Sequence, residues 1–182
     1  MRITVIGRGN LGGGLATLWE AAGHDVTRLG REGGDVADAD VVLVAVPGDT
    51  VAAALDGVTG IDGKTVIDAT NRYGVEPPTG FASNAEYVKS RVAGPTAKSF
   101  NINYASLFPR LREARVRPGN LWCGDAEVRE VVEQLNRDAG YDPIHVGPLD
   151  RAAAQEALVT TVFDIGQGIG EFVYRMVPIE EL

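Results

Sequence analysis

Short apolar runs alternate along the chain with stretches in which apolar positions recur every three or four residues, the alternation of strand and helix that builds an α/β sheet. Residues 2–6 predict a first strand and residues 11–22 a first helix, stopped by Gly23. A second strand follows at 25–29. Residues 41–46 are apolar throughout and closed by Pro47, as expected of a strand buried on both faces. Residues 50–55 predict a short helix capped by Asp49, 65–68 a strand, 84–92 a helix and 97–100 another strand. A short strand at 121–123 precedes an amphipathic helix at 126–139, with Val128, Val131, Val132 and Leu135 on one side. Residues 142–146 predict the strand that closes the sheet, and about 150–174 a final helix. The pattern predicts a doubly wound, mostly parallel sheet in one domain over residues 1–182, with 150–182 as a C-terminal helical extension.

One crossover breaks the pattern. Residues 32–40, between the second and third strands, hold two glycines and three aspartates, too poor a composition for a helix of ordinary length. The crossover helix is expected to be missing or reduced to a turn, which opens one side of the sheet's ligand edge.

The first strand runs directly into Gly7-Arg8-Gly9-Asn10-Leu11-Gly12, a G-x-G-x-x-G turn, and the first helix opens at once. Strand, turn and helix in this order are the dinucleotide-binding arrangement of Rossmann-type sheets. The first glycine permits the turn, the second lets backbone approach a pyrophosphate, and the third lets helix and strand pack closely. Unpaired N–H groups at the helix N-terminus then face the phosphates. In NAD-binding members of this fold an acid at the end of the second strand binds the adenosine ribose. Here Gly30 takes that place and Arg31 follows, so a 2′-phosphate is favoured and the expected cofactor is NADP. Arg8 is a second candidate phosphate ligand, while Glu32 sets a negative charge beside Arg31 and counts the other way.

Composition narrows the partners. A net charge of −8 over 182 residues argues against nucleic acid. No apolar run approaches the roughly 20 residues that span a bilayer, so no membrane association is expected. The single Cys123 fits a reducing, cytoplasmic setting, and no Cys/His cluster has metal-ligand spacing.

From Gly7 to Gly14, through Leu15-Ala16 and Gly23-His24-Asp25-Val26, the chain resembles the NADPH-dependent deazaflavin reductases, the coenzyme F-420:NADP oxidoreductases. The likeness continues in the runs 40–47, 66–71 and 97–101, at Cys123-Gly124-Asp125, at Gly147-Pro148-Leu149 and in the glycine-punctuated run 166–171. It implies an oxidoreductase that passes a hydride between NADPH and a deazaflavin, with no catalytic side chain and no metal; the glycines of the last helix add the expectation of a homodimer, and the composition that of a soluble protein. Carried over by position, Gly7, Gly9, Asn10 and Leu11 hold the pyrophosphate and Arg31 the 2′-phosphate. Val46 and Pro47 line the dinucleotide where it crosses the strand ends, and Asn71, Ser99, Phe100 and Asn101 lie near the nicotinamide. The chain departs from the family at Arg8, in place of a small hydroxyl residue, and at Gly30-Arg31-Glu32, in place of Ser followed by two arginines.

Two other readings stand beside this one: an NADPH-dependent reductase of a small carbonyl or imine, and a non-catalytic dinucleotide-binding redox sensor. The first of these needs a proton donor, for which Tyr73, Tyr104 and Lys98 are the candidates. Each also has a packing role, Lys98 as a snorkelling side chain at a strand end and Tyr104 with its ring packed and its hydroxyl in water. Gly166, Gly168 and Gly170 suit either a flat wall against a planar ring or close helix packing and a helix end. Arg110, Arg112, Arg115 and Arg117 suit either a rim for the anionic deazaflavin tail or a solvated loop.

Overall fold

The computed structural model describes residues 1–181. In chain order the elements are β1 (Arg2–Ile6), α1 (Asn10–Ala21), β2 (Asp25–Leu29), β3 (Gly34–Asp35), β4 (Val41–Val44), α2 (Val51–Asp56), β5 (Val58–Thr59), β6 (Thr65–Asp68), α3 (Asn84–Val92), β7 (Thr96–Ser99), α4 (Phe108–Leu111), β8 (Gly119–Gly124), α5 (Arg129–Asp138), β9 (Asp142–His145) and α6 (Ala152–Ile169). Seven strands form one sheet in the order β2-β1-β4-β6-β7-β8-β9. The first five run parallel. β8 is antiparallel to β7, and β9 is parallel to β8. Helices cover both faces, as the doubly wound pattern predicts. One core layer joins Trp19 and Leu15 of α1 to Val132 and Leu135 of α5 across the sheet residues Val5, Leu43 and Ile67. The Trp19 indole N–H donates to the Leu135 carbonyl at 2.9 Å, which locks the two helices together. The opposite layer packs Val51 and Leu55 of α2 and Val88 and Val92 of α3 on Ile6, Val42 and Val66.

The missing crossover helix is borne out. Between β2 and β4 the chain forms only the two-residue β3, which pairs in parallel with β5 beside α2. Val36 and Ala39 are buried in the α2/α3 layer and supply the apolar cover that a helix would otherwise give.

Several boundaries differ from the sequence expectation. β4 ends at Val44, two residues short. The Asp49 side chain does not cap α2; a 3₁₀ turn over Gly48–Thr50 leads into that helix instead. β8 spans six buried residues, because Asn120 is satisfied inside the core by Ser99 Oγ at 3.0 Å and Asn136 Oδ1 at 2.6 Å. β9 is an edge strand, a position that tolerates Pro143. The last helix stops at Ile169, since Gly170 at φ +82° ends it. The chain then turns back, and the Tyr174 carbonyl accepts from Gly119 N at 2.7 Å. Of the predicted C-terminal extension, Leu182 lies outside the described residues. Among the described residues no helix is long and apolar enough to cross a membrane.

Candidate dinucleotide site

β1 sits between β2 and β4, so the chain reverses its direction of travel across the sheet at β1/β4. Ligands of doubly wound sheets bind at such a switch point, outside the carboxyl ends of the strands. A crevice of about 620 Å³ opens there, lined by Ile6, Gly7, Arg8, Gly9, Gly30, Arg31, Gly33, Ala45, Val46, Pro47, Thr50, Ala53 and Ala54. Seven of the sequence candidates meet in it: Gly7, Arg8, Gly9, Gly30, Arg31, Val46 and Pro47.

The three glycines of the turn have different reasons to be glycine. Gly7, at φ +113°, lies against the Ala45 carbonyl, and a Cβ would come 2.8 Å from that carbonyl carbon. At Gly12 a Cβ would strike the Gly7 carbonyl and come 3.0 Å from Val5 Cγ1. At Gly9 a Cβ would meet nothing within 4 Å, so it would project into open space at the crevice. Gly9 is the N-cap of α1 and no side chain caps that helix, which leaves the first-turn N–H groups of Asn10, Leu11 and Gly12 for a ligand. An uncapped helix start, an open face at Gly9, two guanidinium groups and an apolar wall from Ile6, Val46, Ala53 and Ala54 fit a dinucleotide.

The cations divide into committed and available ones. Arg28 Nη2 donates to Glu20 Oε2 at 2.8 Å and faces α1. Arg8 donates to the Arg28 carbonyl at 3.2 Å and pairs with Glu32. Arg31 is exposed and makes no ion pair with any described residue. The negative charge that counts against a 2′-phosphate therefore binds Arg8 rather than Arg31.

Further along the strand ends the chain presents amides. Asn71 Nδ2 donates to the Asn101 carbonyl at 2.6 Å, and Asn101 Nδ2 returns a bond to Asn71 Oδ1 at 2.9 Å. Gln155 of α6 donates to Asn101 Oδ1 at 2.7 Å. The Gly48 backbone lies directly against the Asn71 carbonyl, so this amide shelf continues from the crevice wall past Pro47. Phe100 stands at φ +63°, a left-handed conformation that costs a side-chain-bearing residue about 1–2 kcal/mol. Its ring is buried edge-on against Trp19, centroids 5.7 Å apart, and the bend turns Asn101 toward Asn71. Ser99 is also buried, its hydroxyl accepting from Asn120. Ser99 and Phe100 thus point into the core, and Asn71 and Asn101 form the shelf.

Beneath the shelf lies a feature that the sequence reading missed. Lys98 does not snorkel; it is fully buried, with Nζ 2.7 Å from Asp68 Oδ2 and 3.0 Å from Glu156 Oε1, and it also donates to the Thr70 carbonyl. Arg72 pairs with Glu156 from the partly exposed side. Glu156 accepts as well from Asn84 N at 3.3 Å, at the start of α3. Two cations and two carboxylates thus tie β6, β7, α3 and α6 together at the ligand edge. Burial pushes the Asp68 carboxyl above the usual range, with Lys98 pulling the other way. A signal was present: a lysine inside an apolar strand requires a buried carboxylate, and Asp68 ends the neighbouring strand.

Tyr104 and Gly166 resolve as packing. The Tyr104 hydroxyl donates to the Val162 carbonyl at 3.0 Å, and Gly166 is glycine because a Cβ would strike that hydroxyl. Gly166 and Gly170 therefore serve close packing and the helix end. Tyr73 is exposed and packs at a tilt against Phe163, centroids 4.8 Å apart. Arg110, Arg112, Arg115 and Arg117 are exposed on and after α4, with Arg112 donating to the Leu18 carbonyl at 3.5 Å. Burial pushes the Cys123 thiol up to about 12, which leaves it inert.

No protein-family model and no curated protein matches this sequence. Solved structures do match its fold. One, from Arthrobacter sp. FB24 and provisionally described as an F-420-dependent NADP reductase, is 21% identical with a TM-score of 0.78, covering 98% of this chain and 100% of its own. A hypothetical protein from Sinorhizobium meliloti is 22% identical with a TM-score of 0.66, covering 97% and 93%. A reductive aminase from Aspergillus terreus, solved with NADPH and ethyl levulinate, is 16% identical with a TM-score of 0.68; the match covers 92% of this chain but 63% of the aminase. At these identities the likeness establishes the doubly wound fold.

Proposed function

We propose that the protein is an NADP-dependent oxidoreductase that passes a hydride between NADPH and a deazaflavin of the coenzyme F-420 type. The observation that carries the reading is the crevice at the switch point. It joins the uncapped start of α1, the open face of Gly9 and the unpaired Arg31 in one continuous surface. Bound there, NADPH supplies the hydride, and the chain's own work is to orient and to exclude water. Gly7, Gly9, Asn10, Leu11 and Gly12 cradle the pyrophosphate, and Arg31 meets the 2′-phosphate. Val46 and Pro47 guide the nucleotide across the strand ends, and the Asn71–Asn101 shelf orients the carboxamide of the ring.

The deazaflavin reading draws on the family resemblance and on the likeness to the Arthrobacter protein. The site also supports it: amides at the ring end orient a ring but transfer no proton. The exposed arginines after α4 suit an anionic tail. The homodimer reading draws on the apolar residues Ile169, Val173, Met176 and Ile179 at and after the end of α6, all more than half exposed. The carbonyl or imine alternative needs a donor facing its substrate. Lys98 is locked in ion pairs and Tyr104 is bonded to Val162, which leaves Tyr73.

The test is turnover of oxidised deazaflavin cofactor with NADPH, followed by the deazaflavin absorbance, with NADH in parallel. Bleaching supports the reading. Nucleotide binding without bleaching, but with reduction of an imine or ketone, moves the assignment to the alternative. Binding with no turnover on any acceptor favours the sensor. Arg31→Ala is expected to weaken NADPH binding roughly tenfold by calorimetry and to leave NADH nearly unchanged, since only the former carries a 2′-phosphate. Equal losses would remove Arg31 from the 2′-phosphate role.

A further inference from the structure

The acid that the end of β2 lacks is present, two residues later. Gly30 and Gly33 close a tight turn, Gly33 N donating to the Gly30 carbonyl at 3.2 Å, with Arg31 and Glu32 at its two central positions. The turn folds the Glu32 side chain back over Gly30. A Cβ built on Gly30 would lie only 3.0 Å from the Glu32 carboxyl carbon. The Glu32 carboxylate therefore occupies the space in which a side chain at the end of β2 would stand, and Gly30 is the residue that leaves that space vacant.

Arg8 fixes it there. Its guanidinium, anchored on the Arg28 carbonyl at 3.2 and 3.3 Å, pairs with Glu32. Both side chains are more than half exposed, 55% for Arg8 and 60% for Glu32, so the pair adds little to stability. Its position is its significance. Gly30 and Arg8 both line the crevice, and the carboxylate lies beside Gly30 at the end of β2, the end at which an acid binds the adenosine ribose in NAD-binding sheets of this kind. Its own backbone N–H and the Arg8 charge hold the Glu32 carboxyl below the usual carboxylate range, so it is ionised at neutral pH.

We infer that Glu32, held by Arg8 over Gly30, is the cofactor-selecting residue of this site: its carboxylate accepts hydrogen bonds from the ribose hydroxyls of NAD(H) and opposes the 2′-phosphate of NADP(H). The inference rests on the dinucleotide reading above and deepens it. Arg31 attracts the 2′-phosphate and Glu32 resists it, so the preference for NADPH is held below what Arg31 alone would give. NADPH gains full strength only when Glu32 swings off Arg8 and frees a second guanidinium for the phosphate.

The test is calorimetric titration of wild type and Glu32→Gln with NADPH and with NADH, at low and at physiological salt. In Glu32→Gln, NADPH is expected to bind about tenfold more tightly and NADH about fivefold more weakly. The two changes run in opposite directions. Mere removal of a nearby negative charge would tighten both anionic nucleotides, NADPH more, and fade with salt. Tightening of both, or no change in either, overturns the inference and leaves the dinucleotide reading standing. Failure of wild type to bind either nucleotide overturns both. Glu32 is exposed, so the variant folds, and an unchanged thermal transition confirms it.

Discussion

Gly9→Val is expected to abolish binding of both NADPH and NADH, a loss of at least about 100-fold in Kd, while the fold survives. The reason lies in the unequal surroundings of the three turn glycines. Gly9 has φ −70° and ψ −174°, an extended conformation that a β-branched residue adopts readily. Nothing within 4 Å opposes its side chain. The isopropyl group fills the opening between the start of α1 and the strand ends, and the pyrophosphate can no longer reach the N–H groups of Asn10, Leu11 and Gly12. Gly7→Val serves as the contrast. It forces a β-branched residue to φ +113° against the Ala45 carbonyl, and it is expected to destabilise the protein itself. Calorimetry reads the binding and circular dichroism reads the fold. If Gly9→Val still binds nucleotide, the loop is not the phosphate cradle.

The largest effect on stability is expected from Lys98→Met, a loss of about 3–5 kcal/mol in urea unfolding. Methionine fills much the same volume, so the loss is one of charge. Asp68 and Glu156 then face each other across the vacated position, both fully buried, and only Glu156 retains a cation, Arg72. The deficit depends on pH with a definite sign. Burial already raises the Asp68 carboxyl in the native protein, and loss of Lys98 removes the charge that opposes that rise. The folded variant therefore binds a proton more tightly than its unfolded chain. That contribution is present below the unfolded carboxylate pKa and is lost as pH rises through the raised folded value. The gap between wild type and Lys98→Met accordingly narrows as pH falls from about 8 to about 5. A gap that is constant across that range would mean that the carboxylates are solvated in the variant.

The fold was legible in the sequence wherever the cause was local. Alternating short apolar runs marked β1, β2 and β6, and the helical pattern of 84–92 marked α3, whose first turn Ser83 caps at 3.0 Å. The absent crossover helix was legible for the same reason, because glycine and aspartate disfavour a helix whatever surrounds them. What the sequence concealed were partnerships made at a distance. Lys98 reads as a strand-end lysine until Asp68, 30 residues earlier, is brought to it on the adjacent strand. β8 reads as three residues because Gly119 and Asn120 lack apolar side chains, and only Ser99 and Asn136 explain how Asn120 can be buried. At the site, the glycine turn and Arg31 were read from spacing. Glu32 was seen only as a charge beside Arg31, since no rule of spacing says that a tight turn will fold it back over Gly30.

The bare return from β2 to β4 bears on timing. In a fully wound sheet the crossover helix walls in the adenine end, and a spent nucleotide must work its way out past it. Here that flank is the two-residue ribbon of β3 and β5 beside α2, with no crossover helix to part. A hydride carrier spends much of each cycle trading one oxidation state of its nucleotide for the other. For the oxidoreductase proposed above, an open flank would shorten the residence of both, and throughput would be governed by ring-to-ring encounter rather than by departure of NADP⁺.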